Sequence, residues 1–434
     1  MTDAASELEA LIRELYPICR SITGNGVRET LGILARSVPL EIREVPSGSA
    51  VLDWTVPREW NIREAYIQDE RGQRIVDFRV NNLHVVNYST PVRARLSLEE
   101  LLPHLHTLPK TPDLIPYRTS YYEENWGFCL TERQRQTLGP GPYEVCVDST
   151  LEPGSLTYGE LFLPGSTDDE ILISAHVCHP SLADDNLSGI AVAIALACEI
   201  AKRPARRHGF RFLFAPGTIG AITWLARNRT GAERIKHGLT LTCLGDSHQF
   251  TYKRTVFGNT IVDRAAAHVL SHSGLPQQVI DFFPYGYDER QYNSPGFRLP
   301  VGSLMRGRHG QFPEYHTSAD NLDFISGERL LESLGILRGI VDVLEGNVRY
   351  RNLAPYGEPQ LGSRGLYRAL GGTSIPDLQF AMLWVLNLSD GAHGLLDIAE
   401  RAGLSFSVVR AAATLLAEHG LLAEDASPKE LPVG

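Results

Sequence analysis

Apolar residues recur at two periods along this chain, and the alternation between them predicts its architecture. Short, mostly apolar runs at 171–175, 210–215, 239–244 and 300–305 read as strands buried on both faces. Stretches with helical spacing separate them, at 190–202, 221–226, 260–271 and 327–344. Near the N-terminus Leu8, Leu11, Ile12, Leu15, Tyr16 and Ile18 place a helix over 6–20. A second helix is expected over 27–37, then a half-buried strand over 40–45. Strands alternating with helices predict an α/β fold: a mostly parallel mixed sheet with helices on both faces.

Two segments break this rhythm. From Gly48 the chain turns rich in aromatic and turn residues, with short alternating strands around 64–78 and 83–88. Residues 50–115 are therefore expected to form a small β-rich inserted domain, leaving 1–49 and 116–370 as the main domain. After Pro376 an apolar helix is followed by two helices at 394–403 and 406–419 with a turn between them. Residues 375–434 read as a winged-helix-like domain. Its second helix carries Arg410 and no basic stripe, so phosphate attraction is missing and a packing or dimerisation role is expected.

Composition narrows the function classes. At 434 residues the chain is long enough for two or three domains. Its net charge of −10 argues against nucleic acid or an anionic membrane as partner. No apolar run approaches the roughly 20 residues of a membrane span. The start of the chain lacks the pattern of a signal peptide. The six cysteines are scattered without a CxxC and read as reduced thiols, so a cytoplasmic location is expected. A homo-oligomer through the winged helix or the inserted domain fits the same reading.

Polar clusters fall at the ends of the apolar strands: His176, Cys178, His179, Asp184 and Asp185 after the first, then Thr218, Asp246 and His316. Ligands bind outside the carboxyl ends of strands in open α/β sheets. Imidazoles and carboxylates in one loop suit zinc; the alternative is a plain hydrogen-bonded His–Asp pair.

In combination the segments Trp60-Asn-Ile, Asn82-Leu-His-Val-Val-Asn-Tyr, His176-Val-Cys-His-Pro-Ser, Asp185-Asn-Leu-Ser-Gly, Gly217-Thr-Ile-Gly, Tyr287-Asp-Glu-Arg-Gln-Tyr and Glu314-Tyr-His-Thr-Ser-Ala-Asp-Asn resemble the two-zinc aminopeptidase family. The closer likeness is to its bacterial aminopeptidase-like branch, which has an inserted small domain and a C-terminal winged helix. The resemblance implies metal ligands at His176, Asp185, Asp246 and His316. It also implies a Glu-Glu pair after the second strand, and those positions here are Gly217 and Thr218. Cys178 replaces the aspartate that orients the first histidine. One zinc ion is favoured and two remain open.

With the glutamate base gone, His179, Asp184, Glu289 and Glu314 are candidates for its role, and Tyr315 for an oxyanion donor. Arg290, Lys253, Arg254 and Arg306 are candidates for a substrate anion. The expected activity is zinc-dependent hydrolysis of an amide bond in a peptide or aminoacyl-type small molecule. The alternatives are acyl transfer or deacylation in polysaccharide or secondary-metabolite biosynthesis, and a retired zinc-binding recognition module.

Overall fold

The computed structural model describes residues 2–366 and 377–425. Its chain divides into two compact units, one of residues 1–260 and 276–335, the other of 261–275 and 336–434.

The first unit is built on an eight-stranded mixed sheet. In chain order its strands are β1 (Glu41–Pro46), β2 (Ser155–Leu163), β3 (Glu170–His176), β4 (Gly209–Ala215), β5 (Ile235–Leu241), β6 (Phe250–Lys253), β7 (Gln277–Ile280) and β8 (Val301–Met305). In space they run β1-β2-β4-β3-β5-β8-β6-β7. The centre, β4-β3-β5-β8, is parallel, and antiparallel pairs flank it. Every residue of β3 is buried, as an unbroken apolar run requires in a central parallel strand. It ends on His176, at the carboxyl edge where the loops gather.

Helix α1 spans Thr2–Leu15 and α2 Asn25–Leu34; α3 (Gly189–Ala201) follows β3, and α4 (Ile219–Arg227) follows β4. In α3, Ile190, Val192, Ile194, Leu196 and Ile200 are all buried. Helix α1 stops five residues short of the expected 6–20. Pro17 explains this, because its ring disfavours the helical conformation of the residue before it. The strand expected over 239–244 begins earlier and ends at Leu241. Cys243 takes a left-handed φ of 48° and turns the chain out of the sheet toward the site.

The small antiparallel sheet corrects the expected insertion boundary. Its order is Arg74–Asp77, Glu59–Gln68, Tyr143–Glu152, Val92–Leu96. The Tyr143–Glu152 strand lies well beyond residue 115 and pairs with both Glu59–Gln68 and Val92–Leu96. Trp60 is buried in this region, and its indole N–H donates to the Ser89 carbonyl at 2.8 Å.

In the second unit Arg349–Asn352 pairs with Asp390–Gly394 and with Leu422–Glu424. Helices Leu395–Ala402 and Phe406–Glu418 form the winged-helix core, with Val409, Ala412, Ala413 and Leu416 buried. This unit also takes in helix Ile261–His272, whose His268 Nε2 accepts from the Phe406 N–H at 3.0 Å. It therefore starts well before the expected residue 375; that boundary itself falls beside residues outside the described set.

Phe214 is fully buried in β4 beside β3. Phe214→Ala should destabilise the fold by about 3–5 kcal/mol, the usual cost of emptying such a site. Chemical denaturation checks this, and a change within error would contradict the buried-sheet account.

Candidate metal centre

Four elements deliver the side chains. His176 is the last residue of β3, and His179 lies three residues on. Asp185 sits in the turn that enters α3, and His316 comes from a distant loop. His176 Nε2 lies 2.9 Å from Asp185 Oδ1 and 3.1 Å from His179 Nδ1. His179 Nδ1 is 3.6 Å from Asp185 Oδ2, and His316 Nε2 is 3.0 Å from the same oxygen.

Three imidazole nitrogens thus face one buried carboxylate and partly face one another. Two imidazole nitrogens 3.1 Å apart make a good hydrogen bond only if one of them carries the proton. The ligand atoms of His176, His179 and Asp185 lie within 4.8 Å of one another. Ligands about 2.0–2.1 Å from a zinc ion are roughly 3.3 Å apart, so the spacing of these three fits, and His316 joins them through its 3.0 Å approach to Asp185 Oδ2. The donor set, three imidazole nitrogens and one carboxylate, also suits zinc.

The surroundings hold these groups in place. Asp320 accepts from the backbone N–H of Asp184 (2.6 Å) and of Asp185 (3.0 Å), which fixes the turn. Ser188 Oγ donates to the Asp184 carbonyl and accepts from Leu244 N–H, tying that turn to the chain leaving β5. Arg20, 1% exposed, donates through Nε to the His179 carbonyl (2.8 Å) and through Nη1 to the Leu15 carbonyl at the end of α1 (2.7 Å). The Tyr117 ring stands edge-on between His179 and His316, at 5.1 Å from each. His316 has a left-handed φ of 56°, a conformation rare for a residue with a side chain. Its carbonyl accepts from Tyr117 N–H at 2.8 Å.

The outer face of His179 meets Tyr287: Nε2 is 3.4 Å from the phenol oxygen, which is 3.1 Å from Cys178 Sγ. Ring nitrogens turned away from a metal are commonly held this way. The Tyr287 ring lies where a side chain at 217 would begin; a Cβ there would come within 1.8 Å of it. Glycine at 217 and tyrosine at 287 therefore go together.

Burial pushes the carboxyl of Asp185 up, but His179, His176 and His316 outweigh it and hold it well below the usual range. Burial lowers His176 and His179, so both are neutral, as ligands must be. Burial also lowers His309 to about 4. Its Nε2 is 3.4 Å from Thr242 Oγ1, which is 3.4 Å from Asp185 Oδ1.

The structure places the remaining candidates elsewhere. Asp246 is not brought to the cluster. Its buried carboxylate accepts from Gly307 N–H at 3.0 Å and meets His248 Nδ1 at 2.9 Å. The buried Asp184 carboxyl, pushed up by burial and then by Asp246 and Asp320, has one oxygen without a partner. Glu289 is locked in a buried ion pair with Lys253, which also donates to the Tyr285 carbonyl, so neither is free for the role expected of it. Glu314 is half-buried in the loop that carries His316, and Tyr315 stacks on His316 with centroids 4.0 Å apart. Arg306 is buried, ion-paired with Glu332 and stacked over Phe250, while Arg254 donates to the Gly258 carbonyl and Arg290 is exposed. None of the four cations expected to bind a substrate anion is both free and turned inward.

Sequence reasoning did not single out Tyr287, Tyr117, Asp320, Arg20 or His309 for roles. The bare Gly217 was the one signal pointing to a bulky neighbour.

Residues 9–347 match the family described as "Domain of unknown function (DUF4910)", and 348–424 match a winged helix-turn-helix family. A Clostridium acetobutylicum protein named "Putative polysaccharide biosynthesis protein with aminopeptidase-like domain" is 50% identical over 422 residues, 97% of each chain. The crystal structure of a "putative peptidase" from Clostridium acetobutylicum superposes with a TM-score of 0.93 at 49% identity, covering 97% of each chain. A zinc aminopeptidase from Bacillus subtilis gives 0.56 at 13% identity, over 78% of this chain and 94% of that one. The fold is thus that of the zinc aminopeptidases, with a C-terminal winged helix.

Metal content after dialysis tests the ligand set. His179→Ala and His176→Ala should each lower bound zinc severalfold, while Asp246→Asn should leave it near the native level. Equal loss in all three would return Asp246 to the ligand set. A second prediction concerns acid. The folded His309 titrates near 4, against about 6.5 when unfolded. As pH falls the unfolded chain takes up this proton first, so its contribution to stability is present above about 6.5 and is lost on the way to 4. Denaturation midpoints of metal-free protein should fall across that window; a flat profile would contradict the assignment.

Proposed function

The chain belongs to the family described as "Domain of unknown function (DUF4910)", and on that premise we propose that it is a zinc-dependent hydrolase of amide bonds. The substrate in this reading is a peptide or an aminoacyl-type small molecule. The observation that carries it is the convergence of three imidazole nitrogens on the buried Asp185 carboxylate at the carboxyl edge of the sheet.

His176, His179, Asp185 and His316 would hold one ion. Such an ion, when bound, supplies Lewis-acid polarisation of a substrate oxygen. Asp185 gives the site its negative charge, and Asp320 fixes the backbone behind it. Tyr287 holds the ring of His179 and fills the space above Gly217, which favours one ion over two. The Glu289 carboxylate is neutralised by Lys253, so His309 takes the proton-acceptor role in this reading: its Nε2–H donates to Thr242 Oγ1, which donates to Asp185, and this tautomer leaves Nδ1 as the nitrogen able to take a proton.

The name of the Clostridium acetobutylicum relative and the absence of a glutamate pair favour a second reading, deacylation within a biosynthetic pathway. The free cysteines agree with a cytoplasmic setting, and among the described residues no helix is long and apolar enough to cross a membrane.

Stripping the protein with a chelator should abolish cleavage of aminoacyl 4-nitroanilides, and one equivalent of zinc should restore it. His309→Gln should lower kcat at least tenfold with zinc content unchanged. Full activity in the metal-free protein would reject the proposal. Cleavage of N-acyl sugars but not of aminoacyl amides would select the second reading.

A further inference from the structure

A cavity of about 240 Å³ is lined in part by His309, whose Nε2 faces Thr242 beside Asp185. Its floor is apolar, made by Ile280, Phe283 and Met305, and two cations line it, Lys253 and Arg308. They differ in what they already hold. The Lys253 ammonium faces Glu289 and the carbonyls of Phe283 and Tyr285, so its donors are spent. Arg308 has a buried Nε without any hydrogen-bond partner. Its guanidinium carbon lies 5.8 Å from the centre of the Phe283 ring, and no carboxylate is among the residues lining the cavity.

A donor buried without a partner costs stability, and such groups are retained where something else supplies the acceptor. A guanidinium at the wall of a small, mostly apolar cavity is suited to a planar anion, which it can hold through two parallel hydrogen bonds. The next residue, His309, forms the wall between this cavity and Thr242, which contacts Asp185. A molecule engaged at Asp185 and the histidines therefore has a neighbouring compartment for one side group. At roughly 30 Å³ per water the compartment displaces about eight waters, the scale of one amino-acid-sized group.

We propose that Arg308 and this cavity form the specificity pocket of the site, and that the substrate carries an anionic group, a carboxylate or a phosphate, on an apolar stem. The assignment rests on the hydrolase reading for the word substrate, while the anion site itself does not. The charge comes from Arg308, and Phe283, Ile280 and Met305 cover the stem. It replaces the expectation that Arg290, Lys253, Arg254 or Arg306 would take the anion, because the surface or other partners already hold those four.

The test uses the full-length zinc-loaded protein, Arg308→Met and Arg308→Lys. Zinc content and thermal unfolding first show that the variants fold. Calorimetric titration with glutarate and, separately, with orthophosphate reads the anion site. The expected result is binding of at least one anion that Arg308→Met weakens tenfold or more and Arg308→Lys partly restores. The preferred anion names the source, carboxylate or phosphate. Failure of both anions to bind, or binding that Arg308→Met leaves unchanged, overturns the proposal.

A second arm compares kcat/KM for glutamyl and glutaminyl 4-nitroanilide, which differ by a carboxylate against a carboxamide. A tenfold preference for the glutamyl compound that collapses toward one in Arg308→Met supports the pocket. Arg308-dependent anion binding with no amide turnover supports the pocket and rejects the hydrolase reading. Turnover without charge preference, together with Arg308-independent binding, rejects the pocket and leaves the hydrolase reading standing.

Discussion

The carboxylate of Asp185 is the constraint on which this structure turns. It is 1% exposed and has histidine nitrogens on both of its oxygens. A buried charge must be compensated nearby, because its desolvation is otherwise prohibitive. Neutral imidazoles alone do this weakly, and a divalent cation among them does it strongly. The rest of the first unit can be read outward from that requirement. Strand β3 is buried along its whole length and ends on the first histidine. Asp320 and Ser188 clamp the turn that carries Asp185, and Arg20 ties the His179 backbone to the end of α1.

The same requirement accounts for a linked set of departures from the two-zinc pattern. Glycine at 217 clears the space that the Tyr287 ring fills. The Tyr287 hydroxyl then reaches both Cys178 and His179. Where the resemblance implies an aspartate and a pair of glutamates, this chain has a thiol, a glycine and a threonine, and the Tyr287 phenol occupies the space left at 217. The negative charge of the site is lower as a result, and a third histidine supplies what a carboxylate would. In the proposed function a single cation would be the electrostatic counterpart of that change.

The strands and helices of the main sheet were legible because apolar runs and helical spacing carry them directly. The central run at 171–175 and the apolar stretch after it both became elements with nearly the expected bounds. The small sheet was less legible, since pairing Tyr143–Glu152 with strands far earlier in the chain leaves no local mark. At the site, His176, Asp185 and His316 could be aligned by motif, and each of the two histidines lies within hydrogen-bond distance of Asp185. Asp246 was placed by the same alignment, yet here its oxygens serve Gly307 and His248. Charged candidates were the least legible. Lys253, Glu289 and Arg306 are all buried, and a sequence does not show that each is already paired. Arg308 passed unnoticed because what marks it is a missing partner.

Diffraction at the zinc absorption edge on crystals of the zinc-loaded protein tests the central claim most directly. The account predicts one anomalous peak per chain, in contact with His176 Nε2, His179 Nδ1, His316 Nε2 and the Asp185 carboxylate. A peak between Asp184 and Asp246, two peaks, or none at Asp185 would contradict it.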